Sequence, residues 1–301
     1  MRRFLSSIGL ALLPALAHAH GAADSPSEEL PVILPLAVTL IWYGIGAARL
    51  AARGDIRAHL PQITMFGAGW LILAAALLGP LHDLSERSFT AHMIEHELLM
   101  LIAAPFLALS RPIGIFLWAL PPRARTGIAG TARAQPFSLV WKFITAPGIA
   151  TILQIVALWI WHAPALFDRA LESEGWHAAQ HASFIFSALI FWWAIVRHGH
   201  GTRRAAAAAL WLFITSTASG ALGALMAFSQ SPWYEGYRQL ASGALLPGGL
   251  TAVEDQQLAG LIMWIPGGLV HFGAALWFAM RALRGSEADA REMSRLNPMG
   301  P

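Results

Sequence analysis

The chain has 301 residues, of which 56% are hydrophobic and 12% charged, with a formal net charge of +3 and no cysteine. The charged share is about half that of an ordinary soluble domain, which excludes a soluble globular fold for most of the chain. Without cysteine there are no disulfides and no thiolate ligands, so a metal site would have to use histidine, methionine or carboxylate side chains.

The first nineteen residues have the organisation of a secretory signal peptide. A basic start, MRRF, precedes the apolar run LSSIGLALLPALA, and Ala17-His18-Ala19 matches an A-x-A cleavage site. We expect residues 1–19 to be removed, which would leave the mature N-terminus outside the cytoplasm. An uncleaved anchor is the alternative.

Seven apolar windows follow, each with about the 20 residues that a helix needs to cross a bilayer. The sequence therefore predicts an all-α polytopic membrane protein with seven transmembrane helices. Its transmembrane domain covers residues 20–281, and a polar cytoplasmic tail follows at 282–301. The predicted spans are 31–50, 61–80, 90–109, 145–165, 177–196, 205–228 and 258–281.

The distribution of arginine and lysine predicts the orientation. One set of loops, together with the C-terminal tail, carries 15 of these residues, and the opposite side carries only Arg87, Arg169 and Arg238. Because cytoplasmic loops hold the positive excess, the protein is predicted to run N-out and C-in. This asymmetry accounts for the pI of 9.9, so no nucleic-acid partner is inferred.

Histidines cluster at one predicted membrane level. Two pairs have i, i+4 spacing, which places each pair on one helix face, within roughly 10 Å of the external boundary. Neutral imidazole is the commonest metal ligand, and ionisable residues inside spans are functional candidates. The pattern favours a metal or haem site over a structural or proton-handling role; its predicted ligands are His92, His96, His162, His177 and His181, with His82 nearby in sequence.

Three other functions can be weighed from the residues. HMIEH (92–96) fits H-x-x-E-H, an inverted metalloprotease motif with Glu95 as general base. A single haem near the external surface is a second alternative. A retinal protein is excluded, because it needs a lysine in a span and Lys142 is the only lysine.

Several stretches resemble the CtaG-type, multi-spanning cytochrome c oxidase assembly factors. They occur in the family's order and spacing over about 90–281: AHMIEHELLMLIAAPFLALSRP, WHAPALFDRAL, HAAQHASFIFSALIFWW, MAFSQSPWY and EDQQLAGLIMWIPGG. The resemblance implies a non-enzymatic protein of the bacterial inner membrane that helps to build a haem-copper oxidase by maturing its copper centre. The family often has Gln where this chain has Glu95, which weakens the protease alternative.

A copper-delivery hypothesis follows from this resemblance and the histidines. Copper from a periplasmic donor would reach the cluster at the external level and pass to an oxidase subunit in the bilayer. Met93 and Met100 are soft thioethers that could assist with Cu(I). The predicted supporting residues, with acids as acceptors for ligand histidines, are Glu95, Asp168, Glu254, Asp255 and Met100.

Overall fold

A computed structural model describes residues 30–54, 56–198, 201–242 and 244–296, and these residues form helices without any β-strand. The first half of the chain contains α1 Leu30–Ala52, α2 Ile56–Leu78, α3 Pro80–Ser85, α4 Phe89–Glu97, a π-helical turn Leu98–Ala103, α5 Ala104–Leu109 and α6 Ile113–Trp118. The remainder contains α7 Pro122–Arg133, α8 Gln135–Ile144, α9 Pro147–Trp161, α10 Pro164–Glu172, α11 Glu174–His198, α12 Thr202–Phe228, α13 Glu235–Leu240 and α14 Ala252–Leu296.

Six helical segments in the described ranges are long and apolar enough to cross a membrane. A seventh crossing is formed only if α8 and α9, which are bent by 63° at their junction, are taken as one broken span. The all-α polytopic membrane fold is therefore confirmed, and the count of seven spans stays a prediction. The predicted signal peptide, 1–19, lies outside the described residues.

Two predicted segments differ in extent from the observed helices. Within the window 145–165 the main helix, Pro147–Trp161, has only fifteen residues, a length of about 22 Å, because the prolines at 147 and 164 bound it. The last span is longer than predicted: α14 runs from Ala252 to Leu296. Most of the predicted polar tail, 282–301, is thus a helical continuation of the last span.

The helices pack around two apolar cores. The larger core brings together side chains of α4, α9, α10, α11, α12 and α14, including the fully buried Phe167 and Phe184. The smaller core joins α1, α2 and α6, where the rings of Tyr43 and Phe66 stack with centroids 3.6 Å apart. The larger core lies directly beneath the predicted histidine site.

The π-helical turn after α4 has an identifiable cause. The backbone N–H of Ala104 donates to the Leu99 carbonyl instead of the Met100 carbonyl, and the next residue, Pro105, has no N–H to offer. The free Met100 carbonyl accepts a hydrogen bond from Trp192 Nε1 at 2.9 Å. This bond ties the third span to α11 just below the histidines, and π-turns are frequent at functional sites.

The last two long helices meet at a pair of glycines. A Cβ on Gly260 would lie 2.5 Å from the Gly223 carbonyl oxygen, and a Cβ on Gly223 would lie 2.8 Å from the Gly260 carbonyl oxygen. Small residues permit such close backbone approach between membrane helices. The contact fixes α14, and therefore its N-terminal turn, against the rest of the bundle.

Gly260→Ala is expected to destabilise the protein by about 2 kcal/mol, since the added methyl group meets backbone atoms that cannot move aside cheaply. Gly273→Ala, further along the same helix, is the matched control because nothing lies within 4 Å of its added Cβ. Thermal unfolding in detergent should show a lower melting temperature for Gly260→Ala and an unchanged or higher one for Gly273→Ala. Equal melting temperatures would contradict the tight contact.

Candidate functional site: a buried histidine cluster

Five histidines lie together at the end of the bundle where α4, α11 and α14 begin. His82 comes from α3, His92 and His96 from α4, and His177 and His181 from α11. The rings of His92 and His177 stack with centroids 5.3 Å apart, and those of His82 and His177 stack at 5.5 Å. The His96 and His181 rings meet edge to face at 5.1 Å. We call these five residues the histidine cluster.

The deepest part of the histidine cluster has the geometry of a metal-binding group. Ring nitrogens of His92, His96 and His181, all buried, lie within 4.8 Å of one another. A second group with the same spacing joins His92, Glu95 and His177. Nitrogens bonded to one ion at about 2.0 Å are at most roughly 4 Å apart, so shifts of less than about 1 Å would close the three rings on an ion.

Glu95 links the outer and inner histidines. Its Oε1 accepts a hydrogen bond from His82 Nδ1 at 3.0 Å and lies 3.8 Å from His181 Nε2. The Glu95 side chain is fully buried, whereas His82 is 29% exposed. Burial acts to lower the pKa of His82, but the hydrogen bond and negative charge of Glu95 outweigh it and leave that pKa above its usual value.

Most of the unpaired buried polar atoms in the described part of the chain belong to this region. Fourteen buried side-chain nitrogen and oxygen atoms there have no hydrogen-bond partner in the protein, and nine of them lie in the histidine cluster, Glu95 and Gln180. Buried polar atoms in folded proteins are nearly always paired. Both ring nitrogens of His92 and of His96 are among the nine, so the one lone pair that each neutral ring carries is available to a cation.

Gln180 is a component that the sequence prediction missed. It is fully buried and faces His92 from α11. The sequence did contain a signal for it, because HMIEH (92–96) in α4 and HAAQH (177–181) in α11 share the pattern H-x-x-E/Q-H. The two motifs face one another, which gives each histidine pair an adjacent carboxyl or amide group.

His162, one of the five predicted ligands, lies apart from the histidine cluster. Its Nδ1 donates to the Leu158 carbonyl at 2.7 Å, and its Nε2 lies 3.5 Å from the sulfur of Met93. Met100 also lies outside the cluster, because its sulfur accepts a hydrogen bond from Gln154 Nε2 at 3.3 Å. The structure thus brings together four of the five predicted ligands, and His82 joins them. The fifth, His162, lies beside Met93.

Of the predicted supporting acids other than Glu95, none contacts a cluster histidine. Asp255, in the first turn of α14, accepts the backbone N–H groups of Phe89 and Thr90 at 2.6 and 3.1 Å and so caps α4. Glu254 accepts from Thr251 at the start of its own helix, and Asp168 accepts from the Gly236 N–H at 3.3 Å. Asp255 therefore holds the start of α4, the helix that carries His92.

Comparisons with known proteins identify similar sequences and a family. Two relatives, the "Uncharacterized protein Mb0105" of Mycobacterium bovis and the "Uncharacterized protein MT0111" of Mycobacterium tuberculosis, are each 27% identical over 241 residues. The matches cover 75% of this chain but 34% of each relative, so the chain spans about a third of the length of these curated relatives. No solved structure matches the chain.

A family model described as "Cytochrome c oxidase caa3 assembly factor (Caa3_CtaG)" matches residues 41–285. The matched segment contains every helix that contributes to the histidine cluster, together with Asp255 and the glycine contact. The resemblance inferred from the sequence is confirmed: the chain belongs to the Caa3_CtaG family of cytochrome c oxidase caa3 assembly factors.

Proposed function

We propose that this protein assists the assembly of a haem-copper cytochrome c oxidase by holding Cu(I) as a cargo at the histidine cluster and passing it to an oxidase subunit. The observation that carries the proposal is the concentration of unpaired ring nitrogens on His92, His96 and His181, all within 4.8 Å of one another. The protein acts as a binding and delivery factor, with no catalytic turnover.

The donor set supports copper as the cargo. Neutral imidazoles bind copper, zinc and iron, and a chain without cysteine holds Cu(I) less tightly than a thiolate site would. Moderate affinity suits delivery, since the ion must leave again. Close ring packing around the site, with His96 and Phe184 centroids 4.7 Å apart, favours a single ion over a porphyrin.

The burial gradient across the cluster supports entry from one side. His82 and His177 are partly exposed, whereas His92, His96 and His181 are buried. An ion would first meet the outer pair and then exchange ligands into the inner three. Glu95, hydrogen-bonded to His82, would attract a cation to the start of this route.

The loops beside the cluster are those with few arginines, so the positive-inside rule supports placing it on the periplasmic side of the bacterial inner membrane. A periplasmic copper donor would then have access to His82. The recipient oxidase subunit would dock within the bilayer, alongside the long apolar helices.

The direct test is metal binding by the full-length protein in detergent. Anaerobic titration with Cu(I) against a competing chelator is expected to show about one ion bound at the histidine cluster, with no Soret absorption band in the spectrum. Cells that lack the protein should produce oxidase with reduced copper content. A Soret band would support the haem alternative, and the absence of both copper and haem would overturn the proposal.

Glu95→Gln separates copper delivery from the alternative of an H-x-x-E-H protease. The amide oxygen of Gln can still accept the His82 hydrogen bond, and soft Cu(I) does not depend on a carboxylate. We expect Cu(I) affinity within about threefold of wild type and normal support of oxidase assembly. A loss of assembly with copper binding intact would instead favour Glu95 as a general base.

A further inference from the structure

A second pair of soft donor atoms lies beside the histidine cluster, formed by Met93 of α4 and His162 at the end of α9. The Met93 sulfur and His162 Nε2 are 3.5 Å apart, and both side chains are buried. Phe167 and Phe184 contact the His162 ring with centroids 6.0 and 6.1 Å away. The same two phenylalanines also pack against the cluster, Phe167 against His92 and Phe184 against His96.

The hydrogen bonds of His162 determine which ring nitrogen carries the proton. Its Nδ1 lies 2.7 Å from the Leu158 carbonyl oxygen. A carbonyl can only accept, so Nδ1 must carry the hydrogen and the neutral ring has a bare lone pair at Nε2. The Tyr234 hydroxyl donates to the His162 carbonyl at 3.1 Å, which fixes the backbone of the same residue.

The contact at Nε2 therefore joins two acceptors. A thioether sulfur carries no hydrogen, and neither does Nε2 in this tautomer, so no ordinary hydrogen bond can connect them. A doubly protonated ring would resolve the contact, but in the described part of the chain no carboxylate forms a salt bridge with His162. A metal cation bound by both lone pairs would explain the close contact of these two acceptor atoms without a buried, unpaired imidazolium.

We propose that Met93 and His162 form a second Cu(I) position, distinct from the histidine cluster. One thioether and one neutral imidazole are soft donors, which select Cu(I) over hard divalent ions. With bonds of about 2.0 Å to nitrogen and 2.3 Å to sulfur, one ion spans the gap between the two atoms. The proposal rests on the proposed function for the supply of Cu(I), since the Cu(I) that loads the cluster would also load this pair.

Met93→Leu tests the second position, and Met100→Leu is its matched control. Both replacements conserve volume on the same membrane span, so both should fold. The Met100 sulfur already accepts a hydrogen bond from Gln154, so it is not expected to bind copper. The measurements are Cu(I) stoichiometry and copper X-ray absorption of the full-length protein in detergent.

Wild type and Met100→Leu should bind about two Cu(I) ions, with a sulfur scatterer at about 2.3 Å from copper. Met93→Leu should bind about one ion and lose the sulfur scatterer. A nitrogen-only copper shell in wild type, or sulfur that persists in Met93→Leu, would overturn the second position.

The histidine cluster is tested separately with His92→Leu/His96→Leu. If wild type binds copper through nitrogen only and this double variant loses it, the proposed function stands and the second position is overturned. If the double variant retains one sulfur-bound ion, the two positions are distinct and the second one is supported. Absence of Cu(I) from every variant and from wild type would overturn both proposals.

Discussion

His92→Leu/His96→Leu is expected to lower the affinity of the histidine cluster for Cu(I) by more than about 100-fold, because two of its three most deeply buried ligands are removed. Changes in groups that merely support metal ligands commonly cost 10- to 100-fold, and the loss of the ligands themselves should cost more. Competition titration with a Cu(I) chelator measures the effect. Oxidase from cells that carry this variant should have a correspondingly reduced copper content.

The same variant should fold at least as well as wild type in the absence of metal. Both rings have buried nitrogens without protein partners, and replacing such groups by apolar ones of similar volume removes a desolvation cost. An unchanged or higher melting temperature together with lost copper binding would show that the histidines serve the ion and not the fold. A lower melting temperature with copper binding intact would contradict their assignment as ligands.

His271→Leu is the matched control for this measurement. His271 is also a buried histidine on a long helix, but its ring packs against Trp192 at 5.9 Å and its Nδ1 donates to the Gly267 carbonyl. It lies outside the histidine cluster, so its replacement should leave Cu(I) binding at the cluster unchanged. An equal loss of Cu(I) binding in His271→Leu and in the double variant would indicate a general disturbance of the helix bundle.

The sequence predicted the helical faces of the site better than its contacts. The i, i+4 spacing of His92/His96 and His177/His181 placed each pair on one face, because helical periodicity is local. Whether the two faces meet depends on how α4 and α11 pack, which no local pattern specifies. The sequence could not predict that His162 lies apart from the histidine cluster, since this depends on the positions of Phe167 and Phe184.

The role of Asp255 also depends on a tertiary contact that no local sequence pattern specifies, here between residues far apart in the chain. The sequence predicted Asp255 as a hydrogen-bond acceptor for a ligand histidine. In the structure it is fully buried and binds the first turn of α4, more than 160 residues earlier in the chain. The glycine contact of α12 with α14 brings this turn into position, so the cap is a consequence of tertiary packing.

Asp255→Asn is expected to destabilise the protein by about 2–4 kcal/mol and to weaken Cu(I) binding. One carboxylate oxygen accepts the Phe89 N–H, and the other accepts the Thr90 N–H and the Ser88 hydroxyl at 3.0 Å. An asparagine amide has one acceptor oxygen, so its NH₂ group would face a donor and leave it buried and unpaired. The negative charge that stabilises the start of α4 would also be lost.

Asp255→Asn should weaken Cu(I) binding because His92 lies only three residues after Phe89, next to the turn that Asp255 holds in place. Glu254→Gln is the matched control: Glu254 is the adjacent acid, is exposed, and caps its own helix through Thr251. Glu254→Gln should lower the free energy of unfolding by no more than about 1 kcal/mol and leave the Cu(I) affinity unchanged. If Asp255→Asn lowered stability no more than Glu254→Gln did, the long-range cap would not be what holds the histidine pair in place.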